Sequence, residues 1–90
     1  MQIKIHAPFE VNEHLTKLIK GKIEKLTTYF DRIYKAEVYL KLKEDNTPNG
    51  KMVEVNLHIP VKDAFAKGTE DTFEKAIAKV THKLEKQLLK

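Results

Sequence analysis

The stretch AEVYLKLKEDNTPNGKMVEVNLHIP, Ala36–Pro60, decides the fold. Ala36, Val38, Leu40 and Leu42 alternate with Glu37, Tyr39, Lys41 and Lys43, and Val53, Val55, Leu57 and Ile59 alternate with Met52, Glu54, Asn56 and His58. Period-two alternation turns one side of each run toward a core and the other toward water, the pattern of a strand with one wet face. Between the runs, EDNTPNG (Glu44–Gly50) is a turn by composition, and Pro60, which has no amide to donate, ends the second run. The reading is a β-hairpin with one buried face, and that face needs a cover.

The flanking sequence supplies the cover. Upstream, Ile3 and Ile5 alternate with Gln2, Lys4 and His6, so Met1–His6 reads as a strand broken by Ala7-Pro8. From Asn12, whose side chain suits an N-cap, Leu15, Leu18, Ile19, Ile23, Leu26 and Phe30 recur at helical spacing, and a first helix is expected to about Tyr29. Downstream, a short fourth strand is expected near Ala64–Lys67, closed by Gly68. Asp71 with Glu74 resembles a capping box, and Phe73, Ala76, Ile77, Val80, Leu84 and Leu88 form the apolar stripe of a helix running to the chain end. The order β-α-β-β-β-α puts a parallel pair with a right-handed crossover before an antiparallel meander. The fold class is α+β: a two-layer sandwich with a four-stranded mixed sheet and two helices on one face.

Ninety residues suffice for one small core, so residues 1–90 are expected to form a single domain. Charged residues make up 33% of the chain and hydrophobic ones 41%, values that fit a folded, soluble protein. The chain contains no Cys, which excludes disulfides, thiol catalysis and thiolate metal sites. The alternating N-terminus is not a signal peptide and no stretch approaches a membrane span, so a cytoplasmic location is expected.

The 17 Lys+Arg against 13 Asp+Glu leave a net charge of +4, and Arg32 is the only arginine. Lysine is a flexible point charge that suits phosphate better than bidentate reading of base edges. Placement matters more than the sum. On a wheel at about 100° per residue, Lys75, Lys79, Lys83, Lys86 and Lys90 share an arc about 80° wide beside the apolar stripe of the last helix. Glu74 and Glu85 fall on the other flank. In the first helix, Lys17 and Lys20 lie opposite the apolar arc, whereas Lys22 falls within it, and Lys25 and Tyr29 continue a row along its border. A lysine so placed must snorkel to one edge of the helix pair. Lysine stripes are also what solvated helix faces carry, but such faces usually mix both signs. Here the acids are segregated, which points to a phosphate-binding strip. A membrane-lying helix is disfavoured, because the strands need its apolar arc.

Catalytic chemistry finds no pattern. His6, His14, His58 and His82 are scattered without ligand spacing, so no metal site is expected. There is no Gly-rich phosphate loop and no nucleophile elbow, and Glu44-Asp45 and Glu70-Asp71 are explained by turn and capping chemistry. No enzyme, cofactor or small-molecule substrate is expected. Tyr39, with Phe65, makes the open sheet face a rival surface, since aromatics on a sheet can stack single-stranded bases.

TKLIKGKIEKLTTYFDRI (Thr16–Ile33), the following EVYLKLK, and the closing EDTFEKAIAKVTHKLEKQLLK resemble the ribosome hibernation-promoting factors, also called ribosome-associated inhibitors or sigma-54 modulation proteins, over essentially the whole chain. The resemblance implies a domain like a double-stranded-RNA-binding fold. It also implies lodging in the small ribosomal subunit by contact with ribosomal RNA, silencing translation by occupying the channel for messenger and transfer RNA. The matching RNA-binding candidates are Lys22, Lys25, Lys75, Lys79, Lys83, Lys86 and Lys90. PVKDAFAKG (Pro60–Gly68) departs from the family's commoner glycine turn. The chain resembles the short form and is expected to be a monomer in isolation. The alternative is a protein-binding regulator of the sigma-factor modulation type using the open sheet face.

Overall fold

The computed structural model describes residues 1–43 and 50–89, so most of the expected turn Glu44–Gly50, and Lys90, lie outside the described residues. The strands are β1 (Gln2–His6), β2 (Lys35–Leu42), β3 (Lys51–His58) and β4 (Ala64–Glu70), and the helices are α1 (Glu13–Lys25) and α2 (Phe73–Leu88). They follow the expected β-α-β-β-β-α order. The sheet order is β1-β2-β3-β4. β1 pairs with β2 in parallel, Ile3 against Ala36, and β2–β3 and β3–β4 are antiparallel, Val38 against Val55 and Val55 against Ala66.

Alternation translates into burial over most of both runs, although Leu42, at the end of β2, is about half exposed where the pattern puts it on the core face. Ala36, Val38, Leu40, Val53, Val55 and Leu57 are buried, and with Ile19, Ile23, Ile77, Val80 and Leu84 of the helices they form one core. α2 packs across β3 and β4, and α1 lies beside α2. Each fully buried aliphatic side chain stabilises the fold by about 1.5–3 kcal/mol relative to its exposure to water. That contribution fixes which helix faces are unavailable for anything else.

Three local expectations need correction. α1 ends at Lys25 and continues only as a 3-10 turn, Leu26–Thr28, short of Tyr29. There the Thr27 and Thr28 hydroxyls donate to the carbonyls of Glu24 (2.6 Å) and Lys25 (2.8 Å), satisfying groups that a longer helix would have paired. β4 continues through Gly68 to Glu70, with Gly68 opposite Val53. Gly68 is a slot, because a Cβ there would lie 3.2 Å from Val80 Cγ2 and 3.3 Å from Lys79 Cδ. The cap of α2 is Thr72, whose hydroxyl accepts from the Lys75 amide at 3.1 Å, while Asp71 pairs with the Lys75 ammonium. The extra length of β4 shifts the helix start by one residue. At α1 the expected cap holds: Asn12 Oδ1 accepts from the Leu15 amide at 2.8 Å.

The unusual segment Pro60–Gly68 has a structural explanation for its first turn. The Lys62 amide donates to the Pro60 carbonyl at 3.0 Å around Val61, whose φ is 78°. This is a strained three-residue turn, and the Val61 side chain is fully exposed.

Candidate nucleic-acid interface

The two helices leave a notch of about 170 Å³ between them. One wall, formed by α1 and the turn that follows it, carries Lys22, Lys25 and Tyr29, the expected border row, with Leu26 beside them. Its α2 wall carries Ala78, Thr81, His82 and Glu85. Thr81 is buried and its hydroxyl donates into the helix, to the Ile77 carbonyl at 2.8 Å, so its polarity is internally spent. The groups left to meet a ligand are the two ammoniums, the imidazole, the phenol and the Glu85 carboxylate. A hydrogen bond from the Tyr29 hydroxyl to Glu85, reinforced by the carboxylate charge, pushes the Tyr29 phenol above its ordinary value of 10.0.

Lys79 and Lys83 of α2 lie on the opposite flank of that helix, over β4. Lys79 pairs with Glu70 at 3.2 Å, and Lys83 donates to the Lys67 carbonyl at 2.8 Å. Lys75 pairs with Asp71 at 3.2 Å at the helix start. With Gln87, which donates to the Phe65 carbonyl at 2.9 Å, Lys83 covers the outer edge of β4 and blunts a strand edge that would otherwise invite pairing. The ammoniums of Lys22, Lys25 and Lys86 make no ion pair or hydrogen bond among the described residues. The two lysine rows therefore do not face each other across the groove. α2 separates them, and Lys90 lies outside the described residues.

The wheel places Glu85 away from the lysines of its own helix, yet packing turns that flank toward the lysines of α1. Glu85 and His82 are the groove residues that sequence reasoning missed. Helical periodicity separates the flanks of α2 but carries no information about which flank meets α1.

The open sheet face is internally engaged. Glu37 receives His58 Nε2 at 3.2 Å and Lys35 Nζ at 3.3 Å, and the Tyr39 hydroxyl lies 3.4 Å away. The His58 hydrogen bond, followed by Lys35, holds the Glu37 carboxyl below its ordinary value of 4.5, although its desolvation acts the other way. Tyr39 stacks on His6 with ring centroids 4.7 Å apart, while Phe65 is about half exposed. The structure thus brings together His6 and His58, scattered in sequence, around one carboxylate. Among the described residues no group of three or more His, Asp or Glu side chains is arranged to hold a metal ion. No helix among them is long and apolar enough to cross a membrane.

The family model described as "Sigma 54 modulation protein / S30EA ribosomal protein" matches residues 2–90. Among solved structures, a ribosomal subunit interface protein from Coxiella burnetii superposes with a TM-score of 0.86 at 22% identity, over 98% of this chain and 93% of that one. The Protein Y N-terminal domain of Thermus thermophilus superposes with a TM-score of 0.84 at 21% identity, over 99% of this chain and 97% of that one. No curated protein matches the sequence.

Proposed function

Because the chain belongs to the sigma 54 modulation protein / S30EA ribosomal protein family, we propose that it is a ribosome-associated hibernation factor. It binds the small ribosomal subunit through ribosomal RNA and blocks translation by occupying the channel that messenger and transfer RNA use. The observation that carries the reading is the distribution of lysines over the helical layer. Lys22 and Lys25 open onto the inter-helix notch, Lys79 and Lys83 lie over β4, Lys75 stands at the start of α2 and Lys86 in its last turn. In the sequence, Lys90 continues the spacing of these lysines. Phosphates attract such ammoniums without regard to base sequence, which suits a rigid wedge held in a preformed RNA channel. Occlusion requires no bond to be made or broken, so the proposal includes no catalytic step and no cofactor. The fold supports it in kind: one structural neighbour is a ribosomal subunit interface protein.

Co-sedimentation with small ribosomal subunits, followed by inhibition of cell-free translation, tests the reading. Binding and inhibition should weaken together as salt rises. Tyr39→Ala on the open sheet should change affinity by less than about 0.5 kcal/mol, because a base-stacking tyrosine is worth about 1–3 kcal/mol. If Tyr39→Ala abolishes subunit binding, the sheet is the binding face and the helical assignment fails. If the protein does not sediment with small subunits at any salt, the ribosomal reading fails, and the open sheet as a protein-docking surface becomes the better one.

A further inference from the structure

A carboxylate in a phosphate-binding groove needs a reason. Purely electrostatic attraction is best served by a notch lined with cations and neutral groups, yet Glu85 stands on the wall opposite Lys22 and Lys25. It is not recruited to neutralise them, since no Glu85 ion pair with either lysine forms. Nor is it required by the core: Glu85 is partly exposed, while Ala76, Ile77, Val80, Thr81 and Leu84 supply the buried face of α2. Tyr29, which follows the 3-10 turn after α1, lines the same notch. A carboxylate across a notch from two ammoniums matches a ligand that offers an anion and a hydrogen-bond donor side by side. A ribonucleotide strand does so at every residue, where a phosphate adjoins a ribose 2′-hydroxyl. The notch volume of about 170 Å³ corresponds to about six waters' worth of liquid, room for a phosphate and a ribose edge.

We propose that Glu85 accepts a hydrogen bond from a ribose 2′-hydroxyl while Lys22 and Lys25 hold an adjacent phosphate, so that this notch distinguishes RNA from a nucleic acid lacking that donor. The inference rests on the RNA-binding reading above and adds a specificity-determining residue to it. Glu85 makes no contribution to general affinity for polyanions, since toward a phosphate alone it is repulsive. Its contribution appears only when a donor is present. The lysines act in the opposite sense, strengthening both kinds of ligand equally.

The test uses the full chain with a 16-base-pair RNA duplex and the same duplex carrying 2′-fluoro groups, which remove the donor while retaining the A-form helix and its phosphates. Wild-type protein should bind the 2′-hydroxyl duplex about tenfold more tightly, the scale of one hydrogen bond to a charged acceptor. Glu85→Ala should bring the ratio close to one by weakening RNA binding, whereas Glu85→Gln, which keeps an acceptor oxygen, should retain part of the preference. Alanine is the best helix former and the position is not in the core, so circular dichroism should be unchanged. If Glu85→Ala tightens binding to both duplexes equally, Glu85 is only a repulsive charge and the proposal is overturned. Absence of discrimination by the wild type also overturns it. Small-subunit co-sedimentation in parallel separates the two failures: subunit binding without duplex discrimination removes Glu85 alone, and discrimination without subunit binding removes the ribosomal reading alone.

Discussion

The contrast between the two lysine rows yields the most discriminating prediction. Lys22→Ala with Lys25→Ala, and Lys79→Ala with Lys83→Ala, each lower the net charge by the same amount, so a model based on net charge predicts equal losses. The structure predicts unequal ones. The Lys22 and Lys25 ammoniums carry no internal partner among the described residues, so a phosphate that reaches them has no protein group to displace. Each such contact is worth about 1 kcal/mol, which makes the double variant weaker by about 2 kcal/mol, or roughly thirtyfold. Lys79 and Lys83 must first exchange Glu70 and the Lys67 carbonyl for a phosphate, so that pair should cost about half as much or less. Salt provides a second axis. With on the order of five phosphate contacts, log K should fall against log salt with a slope of roughly −4, a loss of roughly 250-fold between about 50 and 200 mM salt. Removing the notch pair should flatten the slope to roughly −2.5, whereas removing the β4-flank pair should change it by less than about one unit. The assay is co-sedimentation with small ribosomal subunits across a salt series, with thermal melts confirming that both variants fold. Equal losses, or a larger loss for Lys79 and Lys83, would refute the reasoning that internal partners discount a lysine.

Other expectations concern the fold itself. Gly21→Ala and Gly68→Ala should have opposite signs: nothing lies within 4 Å of a Cβ at Gly21, so alanine in that exposed helical position should stabilise by about 0.5–1 kcal/mol. At Gly68 the approach of Val80 and Lys79 should make alanine destabilising by about 1 kcal/mol, and both are read from urea midpoints. Val61→Gly should raise the urea midpoint by up to about 1 kcal/mol in stability, because relief of a left-handed β-branched residue exceeds the added chain entropy and the side chain packs against nothing. Glu37 has a depressed carboxyl pKa in the fold, so below its ordinary value of 4.5 the unfolded chain binds more protons and wild-type stability falls as pH falls. Glu37→Gln should therefore show a shallower loss of urea midpoint on acidification through that range, and an unchanged slope would remove the His58–Glu37 bond as its cause.

The periodicities that define this fold are local, and for that reason legible. One-sided burial forces alternation in β2 and β3 and a 3.6-residue stripe in α1 and α2, and Asn12 caps α1 as its residue type suggests. Element ends were less legible because they depend on partners. Gly68, which punctuates the sequence, lies inside β4 because α2 approaches it closely, and Thr72 displaces Asp71 as the cap once β4 extends to Glu70.

For the candidate site, the sequence alone determined which lysines lie off the core, since the apolar arcs of both helices are committed to the sheet. Lys22 at the border of α1 had to emerge at an edge of the helix pair, and it does. Tertiary structure alone decided which edge, that Lys79 and Lys83 turn to β4 and away from α1, and that Glu85 stands opposite Lys22 and Lys25. A helical wheel is symmetric about its apolar stripe. The rotation that assigns one flank to a neighbouring helix and the other to a strand edge comes from how the helices pack on the sheet, where contacts distant in sequence, such as Val80 and Lys79 against Gly68, set the orientation.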